Sequence, residues 1–281
     1  VLLALDALFS PATGRLNEKK TDVWVSNRFL WTRIQTLNSR LQSEGDPAKR
    51  NKRFFFGASV NPNRTDWETE LEFVVEKTEA VLLKLIPSTQ HITLNDQRHT
   101  SFYKALSKAG LPLLSHVGPE YSFPEGIRNQ SLDYYQRLKK PLDCGVTVIA
   151  AHCASPVFPV VDKNVMKDFC GFMSDYNTGM DVRLWSDTSA LSLSSRIPYI
   201  QEIVETFNPE WLVNGSDFPI PIDGWTHLPL VTHNVTPAEY ISICKTKNPF
   251  DRDIRIKRAH GFSDGILENA ANVLRLPKTQ S

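Results

Sequence analysis

The chain has 281 residues, of which 41% are hydrophobic and 22% charged, and its formal net charge is +1. This is ordinary globular composition, and the core should be large enough to fold without disulfides or structural metals. The near-neutral charge excludes the electrostatic footprint of a protein that binds nucleic acid or an anionic membrane. The short basic stretch DPAKRNKR at 46–53 is interpreted as a solvated loop or helix end.

The cysteines and the apolar runs indicate a reduced, cytoplasmic protein. The four cysteines form no CxxC pair and no disulfide framework. No apolar run is long enough to cross a membrane, and the opening VLLALDALF is interrupted by Asp6. We therefore expect a small-molecule substrate, with neither nucleic acid nor membrane as a partner; a homo-oligomer is one assembly that this composition allows.

Seven short apolar runs predict buried strands. Each is nearly continuous in apolar residues, the pattern of parallel strands covered by helices on both faces. In chain order they lie at 2–8, 54–60, 80–86, 111–118, 146–153, 182–191 and 211–217. Helical periodicity and stop signals predict helices between and after them. These helices lie at 28–45, 66–78 (with Thr65 or Asp66 as the cap), 100–110, 131–140, 161–173, 197–207 and 264–276.

This alternation predicts an α/β fold in a single domain, residues 1–281. Seven strand–helix units favour a TIM (β/α)₈ barrel with one strand unaccounted for. A doubly wound open sheet is the alternative. No GxGxxG or GxxxxGK[ST] loop follows any strand, which counts against a nucleotide-binding protein.

Polar side chains stand at the ends of three predicted strands. His116, His152 and Asp217 occupy these ends, and Lys84 lies within the strand at 80–86. Active sites of barrels lie at the carboxyl ends of strands, and imidazole and carboxylate groups are ligands of Zn²⁺, Mn²⁺ or Fe²⁺. Each residue also has a structural explanation: a hydrogen-bonded histidine, an Asx turn at Asp217, or a paired lysine.

Five motifs resemble a known family. They are LLSHVG, VIAAHC, DTSAL, NGSDFPIP and the closing LENAANVLRL. In this order they resemble the amidohydrolase-related metal-dependent hydrolases, in the branch that contains aminocarboxymuconate-semialdehyde decarboxylase-like enzymes. The resemblance covers nearly the whole chain and implies a TIM barrel of the metallo-dependent hydrolase type.

The resemblance also implies roles for these residues. His116 corresponds to the fifth-strand metal ligand, His152 to the sixth-strand metal ligand or catalytic histidine, and Asp217 to the eighth-strand aspartate that contacts metal and water. Lys84 falls where some members place a carboxylated bridging lysine. The implied cofactor is a divalent metal, most simply Zn²⁺, with Mn²⁺ or Fe²⁺ as alternatives.

One family motif has no counterpart. The family's first strand ends in His-x-His, and this sequence contains no such pair; His91 is its first histidine. The chain therefore resembles the family from its second strand onward. We expect the first strand, with a His-x-His, to be encoded upstream of Val1.

These assignments predict a metal-dependent hydrolase acting on an ester, lactone or amide. Asp217 is expected to take a proton from a metal-bound water, with His152 contacting the developing oxyanion. Tyr121, Phe123 and Trp225 are candidate substrate contacts or lid residues. The first alternative is a metal-dependent, non-oxidative decarboxylase of the same fold. The second is a metal-free barrel that acts as a binding or assembly protein.

Overall fold

The computed structural model describes residues 1–45, 53–179, 181–228 and 234–277. Most of the basic stretch at 46–53 lies outside these residues. The chain divides into two compact units. The first comprises Val1–His116, Glu120–Val148 and the segment from Leu274 onward, and the second comprises Val117–Pro119 and Ile149–Val273.

The first unit contains four parallel strands in sequential order. They are β1 (Leu2–Leu3), β2 (Phe56–Ala58), β3 (Ala80–Leu85) and β4 (Leu113–Ser115). Strands β2 to β4 are buried along their whole length, as their continuous apolar sequences predict. Each strand lies inside a predicted apolar run.

Helices follow these strands in the first unit. They are α1 (Asn27–Ser43), α2 (Trp67–Lys77), α3 (Pro87–Gln90), α4 (Thr100–Ala109), α5 (Pro124–Arg128) and α6 (Lys139–Asp143). The hydroxyl of Ser26 caps α1 by accepting the backbone N–H of Phe29. Gly110 ends α4 in a left-handed conformation (φ 60°), as its position in the sequence predicts.

Two local predictions in the first unit are wrong. Asp66 precedes α2 but makes no capping bond, because its carboxylate pairs with Arg64. The predicted helix at 131–140 is instead two 3₁₀ turns followed by the start of α6. Tyr134, between the turns, is extended (φ −67°, ψ 128°), so a continuous helix cannot form.

The second unit is built on three strands that match predicted runs. They are β5 (Val148–Ala150, its first residue in the first unit), β8 (Leu184–Asp187) and β9 (Leu212–Val213). Strands β8 and β9 are parallel, with Asp187 opposite Val213. A short antiparallel pair that was not predicted, β6 (Asn177–Thr178) and β7 (Asp181–Val182), precedes β8.

The helices of the second unit differ more from prediction. They are α7 (Met166–Tyr176), α8 (Ile197–Thr206), α9 (Pro237–Cys244), α10 (Pro249–Ala259), α11 (Gly265–Glu268) and α12 (Ala270–Val273). Helix α7 begins five residues later than predicted. Helices α9 and α10 were missed, although each begins with a capping residue followed by proline.

The single closing helix predicted at 264–276 is two short helices. They are interrupted at Asn269, whose amide donates to the carbonyls of Pro209 and Leu212. These hydrogen bonds join the closing helices to residues 209–212, a tertiary contact that periodicity alone cannot show. Among the described residues, no helix combines the length and apolarity needed to span a membrane.

A buried histidine pair lies in the second unit. Nε2 of His227 is 3.0 Å from the carbonyl oxygen of Ser192, which can only accept, so this nitrogen carries the proton. In the neutral ring Nδ1 of His227 is then an acceptor, and it receives the Nε2–H of His260 at 2.9 Å. Burial lowers the pKa of His227, and burial together with the charge of His227 lowers the pKa of His260 to about 4.

This pair should make the protein less stable in mild acid. In the unfolded chain a histidine titrates near pH 6.5, so below that pH the unfolded state binds protons that the folded state excludes. The stabilisation is complete above pH 6.5 and declines until His260 protonates in the folded protein near pH 4. We expect the free energy of unfolding to fall by up to about 1.4 kcal/mol per pH unit for His260 alone.

The measurement is urea unfolding between pH 7 and pH 5, for the wild type and for His260→Gln. Carboxylates and histidines outside this pair contribute equally to both proteins, so the difference in slope reports the titration of the pair. Identical slopes in the two proteins would contradict this assignment.

Candidate active site

His152 stands just after β5 in a left-handed turn. The φ angles of His152, Cys153 and Ala154 are 62°, 54° and 50°, values that non-glycine residues adopt rarely and at an energetic cost. The hydroxyl of Ser155 donates to the carbonyl of His152 at 2.7 Å. His152 is only 3% exposed, so the turn holds the imidazole in the interior of the second unit.

Asp187, the last residue of β8, anchors this turn. Its Oδ1 accepts the backbone N–H of His152 at 2.9 Å, the backbone N–H of Ser189 at 3.0 Å and the hydroxyl of Ser189 at 2.5 Å. Hydrogen bonds to a charged acceptor are stronger than neutral ones. One buried carboxylate oxygen therefore fixes the backbone at both His152 and Ser189.

The Ser189 contacts determine which nitrogen of His152 carries the proton. The hydroxyl of Ser189 donates to Asp187, so its oxygen acts as an acceptor 2.8 Å from Nδ1 of His152. The carbonyl oxygen of Ser189 is a second acceptor, 3.0 Å from the same nitrogen. Nδ1 of His152 therefore carries the hydrogen, and Nε2 of the neutral ring has the basic lone pair.

Asp217 faces this Nε2 atom. Its Oδ2 lies 3.9 Å from Nε2 of His152, and its side chain is 41% exposed. The backbone of Asp217 is left-handed (φ 56°), a conformation that aspartate and asparagine tolerate better than most residues. Among the described residues its carboxylate accepts no backbone hydrogen bond. The nearby amide of Phe218 is bound by the hydroxyl of Ser216, so the Asx-turn alternative finds no support.

The arrangement of His152 and Asp217 suits a bridging water. Both facing atoms are acceptors when the imidazole is neutral and the carboxylate ionised. Two acceptors 3.9 Å apart can each lie about 2.8 Å from one water oxygen. Both hydrogens of that water would then be held, and its lone pairs would face away from the pair.

Gly215 brings the segment before Asp217 close to Ser189. A Cβ atom on Gly215 would lie 2.9 Å from Cβ of Ser189 and 3.5 Å from Oδ2 of Asp187. The first distance is too short for two carbon atoms, so any larger residue would push these segments apart. The glycine in the NGSD motif is thus required by close packing.

Cys153 is not a candidate nucleophile. Its thiol is buried and donates to the carbonyl of Asp187 at 3.3 Å. Burial raises the pKa of this thiol to about 12, so it stays protonated at neutral pH.

His116 and Lys84 belong to the first unit. Lys84 in β3 lies opposite Leu114 of β4, two residues before His116. Because side chains alternate along strands, Lys84, Leu114 and His116 share one face of this sheet. Nε2 of His116 lies 3.8 Å from Oε2 of Glu120, and both residues are buried.

A further buried carboxyl, Asp133, lies in the same unit. The backbone N–H of Ser88 donates to its Oδ1 at 2.9 Å. Burial raises the pKa of Asp133 well above its usual value, with the charge of Glu120 adding to the rise and that of Lys84 opposing it. Burial thus favours the protonated form of this carboxyl group.

The three candidate substrate contacts have different surroundings. Tyr121 and Phe123 are half-buried in the first unit, where Phe123 immediately precedes α5. Trp225 is 56% exposed in the second unit, and its ring packs edge-on against Tyr240 at a centroid distance of 5.9 Å. Packing of this kind is compatible with either a lid or a substrate contact.

The side chains of this site are of types that bind divalent metals, but fewer than three of them are grouped together among the described residues. Imidazole nitrogen and carboxylate oxygen form two pairs, His116 with Glu120 and His152 with Asp217. Within the described residues no group of three histidine, cysteine, aspartate or glutamate side chains could hold a metal ion. A catalytic zinc usually has three protein ligands, so these residues do not by themselves complete such a centre.

Two important residues of this site were missed in the sequence. Asp187 and Ser189 belong to the DTSAL motif, to which no chemical role was assigned. Their signal was an aspartate at the end of a buried strand with a hydroxyl two residues later. The same pattern occurs in ordinary turns, so its role could be recognised only from the contact with His152.

The profile of the amidohydrolase family matches residues 35–245, about three quarters of the chain. The match confirms the α/β fold of TIM-barrel type that the sequence predicts. It also identifies the chain as an enzyme, which leaves no support for the alternative of a binding or assembly protein. No curated protein matches the chain significantly.

Several solved structures are similar to the chain at low identity. A probable 2-pyrone-4,6-dicarboxylic acid hydrolase from Acinetobacter baumannii, with citric acid bound, is 16% identical (TM-score 0.49; 96% of this chain, 98% of that one). A 5-carboxyvanillate decarboxylase from Sphingomonas paucimobilis is 13% identical (TM-score 0.48; 90% and 75%). A manganese-bound dihydroxybenzoic acid decarboxylase from Polaromonas is also 13% identical (TM-score 0.43; 92% and 79%). The family match, and not these likenesses, carries the assignment.

Proposed function

Because the chain belongs to the amidohydrolase family, we propose that it is a hydrolase that attacks an ester, lactone or amide with a water held between His152 and Asp217. The observation that carries the proposal is the 3.9 Å separation between Nε2 of His152 and Oδ2 of Asp217. The hydrogen bonds of Ser189 fix the imidazole so that a basic nitrogen faces the carboxylate.

The chain's own residues account for the proton transfers. Asp217 takes one proton from the water as the oxygen bonds to the carbonyl carbon of the substrate, while His152 accepts the other hydrogen and orients the water. When the bond to the leaving group breaks, Asp217 returns the proton to the leaving oxygen or nitrogen. A neutral His152 has no hydrogen on Nε2, so it contacts an oxyanion as a donor only after it has been protonated.

A divalent metal stays part of the proposal. Zn²⁺ is the first candidate, with Mn²⁺ or Fe²⁺ as alternatives. The candidate ligands are His152 and Asp217 in the second unit and His116 and Lys84 in the first. Such an ion would polarise the carbonyl and lower the pKa of a bound water. Because the described residues fall short of three grouped ligands, metal analysis of the full-length gene product is the direct test. A stoichiometric amount of bound metal supports a metal-dependent hydrolase. If no metal is bound, the metal is no longer part of the proposal.

Decarboxylation is the second candidate, favoured by Asp133. Loss of CO₂ leaves a carbanion that must receive a proton, and a buried carboxyl group whose pKa is raised is a suitable donor. In this case Asp133→Asn should abolish CO₂ release. Hydrolysis of an ester would not depend on this proton.

The test is a substrate panel with two readouts. Esters, lactones, amides and aromatic carboxylic acids are incubated with the wild type, and both acid production and CO₂ release are measured. Hydrolysis that is lost in Asp217→Asn supports the proposal, whereas CO₂ release without hydrolysis favours the alternative. A small-molecule substrate, a cytoplasmic location and a homo-oligomer stay predictions.

A further inference from the structure

Lys257 is a buried lysine that makes three hydrogen bonds, two of them to the segment before Asp217. Lys257 lies on α10 and is only 2% exposed. Its Nζ atom donates to Oδ1 of Asn214 at 3.0 Å, to the carbonyl of Gly215 at 2.6 Å and to Oδ2 of Asp253 at 2.6 Å. Two of the three acceptors therefore lie within three residues of Asp217.

Asp253 connects Lys257 to the segment that follows β8. Its Oδ1 accepts the hydroxyl of Ser192 at 2.6 Å, and the carbonyl of Ser192 is held in turn by His227. Asn214 is also tied to this side, because its Oδ1 accepts the hydroxyl of Thr188 at 3.3 Å. The ion pair thus joins the segments that carry Asp217 and Ser189.

Stability alone is a weak reason for such a pair. Removing two charges from water costs free energy that their attraction does not always recover, and an apolar pair of similar volume is often as stable. Burial lowers the pKa of Lys257, although the charge of Asp253 opposes this effect. What an apolar pair could not do is hold the carbonyl of Gly215 at a fixed position.

That carbonyl belongs to the residue that packs against Ser189. Since Gly215 lies within van der Waals distance of Ser189, a small shift of residues 214–217 changes the separation of Asp217 from His152. Misplacement of a reacting group by 1 Å can cost ~10²-fold in rate. A residue that fixes the position of residues 214–217 therefore also fixes the geometry of a water between Asp217 and His152.

We propose that Lys257, paired with Asp253, is a positioning residue that sets the separation between Asp217 and His152. The inference rests on the proposed function of the latter pair. Lys257 does not touch the reacting atoms. It acts through Asn214 and Gly215, and Asp253 keeps its ammonium group in place.

The experiment compares Lys257→Met with Arg258→Met, the neighbouring residue on α10. Within the described residues, the side chain of Arg258 makes an exposed ion pair with Asp264, so its variant controls for loss of a positive charge on this helix. Hydrolysis of p-nitrophenyl acetate is measured as kcat, KM and the pH profile of kcat. Hydrogen–deuterium exchange is measured over residues 212–217 of the same full-length proteins.

For Lys257→Met we expect kcat to fall about 10-fold or more with KM changed less than about twofold, since the reacting groups are displaced while binding is not. The pH profile should shift, and amides at 214–217 should exchange faster. Arg258→Met should match the wild type in all respects. Wild-type kcat, pH profile and exchange in Lys257→Met would overturn the proposal, even if its melting temperature fell.

The proposal can also be tested if Lys257→Met does not fold or if the wild type is inactive on this ester. If Lys257→Met does not fold, Asp253→Asn replaces it: the amide keeps a hydrogen bond to Nζ but loses the charge, and the same direction of change is expected. If the wild type does not hydrolyse the ester, the proposed function fails for this substrate class. Hydrogen–deuterium exchange at residues 214–217 then still decides whether Lys257 holds this segment in place. Exchange in Lys257→Met that equals the wild type rejects the proposal.

Discussion

Replacing Asp217 with asparagine is expected to lower kcat by ~10²–10⁴, the usual effect of losing a positioned general base. Folding should hardly change. Asparagine has the same size, tolerates the left-handed backbone of Asp217 (φ 56°), and replaces a side chain that is 41% exposed. The free energy of unfolding should therefore differ by less than about 0.5 kcal/mol, as for most exposed substitutions.

The measurement is steady-state turnover of any active substrate beside urea unfolding. Asp223→Asn is the control, because Asp223 lies in the same connecting segment and its carboxylate accepts the backbone N–H of Trp225, a bond that asparagine can also accept. That variant should keep nearly wild-type turnover. Near-normal turnover in Asp217→Asn would make Asp217 a structural residue and remove the main support for the proposed mechanism.

Replacing Asp187 with alanine is expected to damage both stability and catalysis. Its Oδ1 accepts three buried donors, two backbone N–H groups and the hydroxyl of Ser189. Leaving a buried donor unsatisfied costs about 1–3 kcal/mol, so the free energy of unfolding should fall by about 3 kcal/mol or more. Turnover should fall as well, since the released Ser189 hydroxyl no longer holds His152.

The matched variant is Asp187→Asn. Its amide oxygen can still accept these hydrogen bonds but lacks the charge, so we expect a loss of stability between the wild type and the alanine variant. Urea unfolding and turnover of all three proteins provide the comparison. Equal stability of the alanine variant and the wild type would show that Asp187 does not anchor the turn.

The strands were predictable because burial on both faces leaves a continuous apolar run. Among the described residues, strands β1 to β5, β8 and β9 all fall inside predicted runs. The predicted strand ends were too late, because β9 ends at Val213, four residues before Asp217, and β5 ends at Ala150, two residues before His152. The helices were less predictable. The closing helix is two short helices on either side of Asn269, and α9 and α10 have capping signals that the periodicity did not emphasise.

The supporting residues of the site could not be found from spacing. Lys257 contacts Gly215 across 42 positions of sequence, and Ser189 contacts His152 across 37. A lysine or a serine has no distinctive local pattern, and its role depends on which segments the fold brings together. Sequence patterns thus located the candidate residues His152 and Asp217, while the residues that contact and orient them required the structure.

The left-handed turn at His152–Ala154 has a consequence for engineering thermostability. Glycine in place of a buried alanine loses a methyl contact of about 0.8 kcal/mol and adds about 0.4–1 kcal/mol of unfolded-state entropy. At Ala154 (φ 50°) relief of left-handed strain, about 1–2 kcal/mol, offsets these losses, whereas Ala150 in β5 (φ −85°) gains no relief. Ala154→Gly should therefore be nearly neutral in urea unfolding and Ala150→Gly clearly destabilising, so that residue 154 tolerates substitution although it lies two positions from His152.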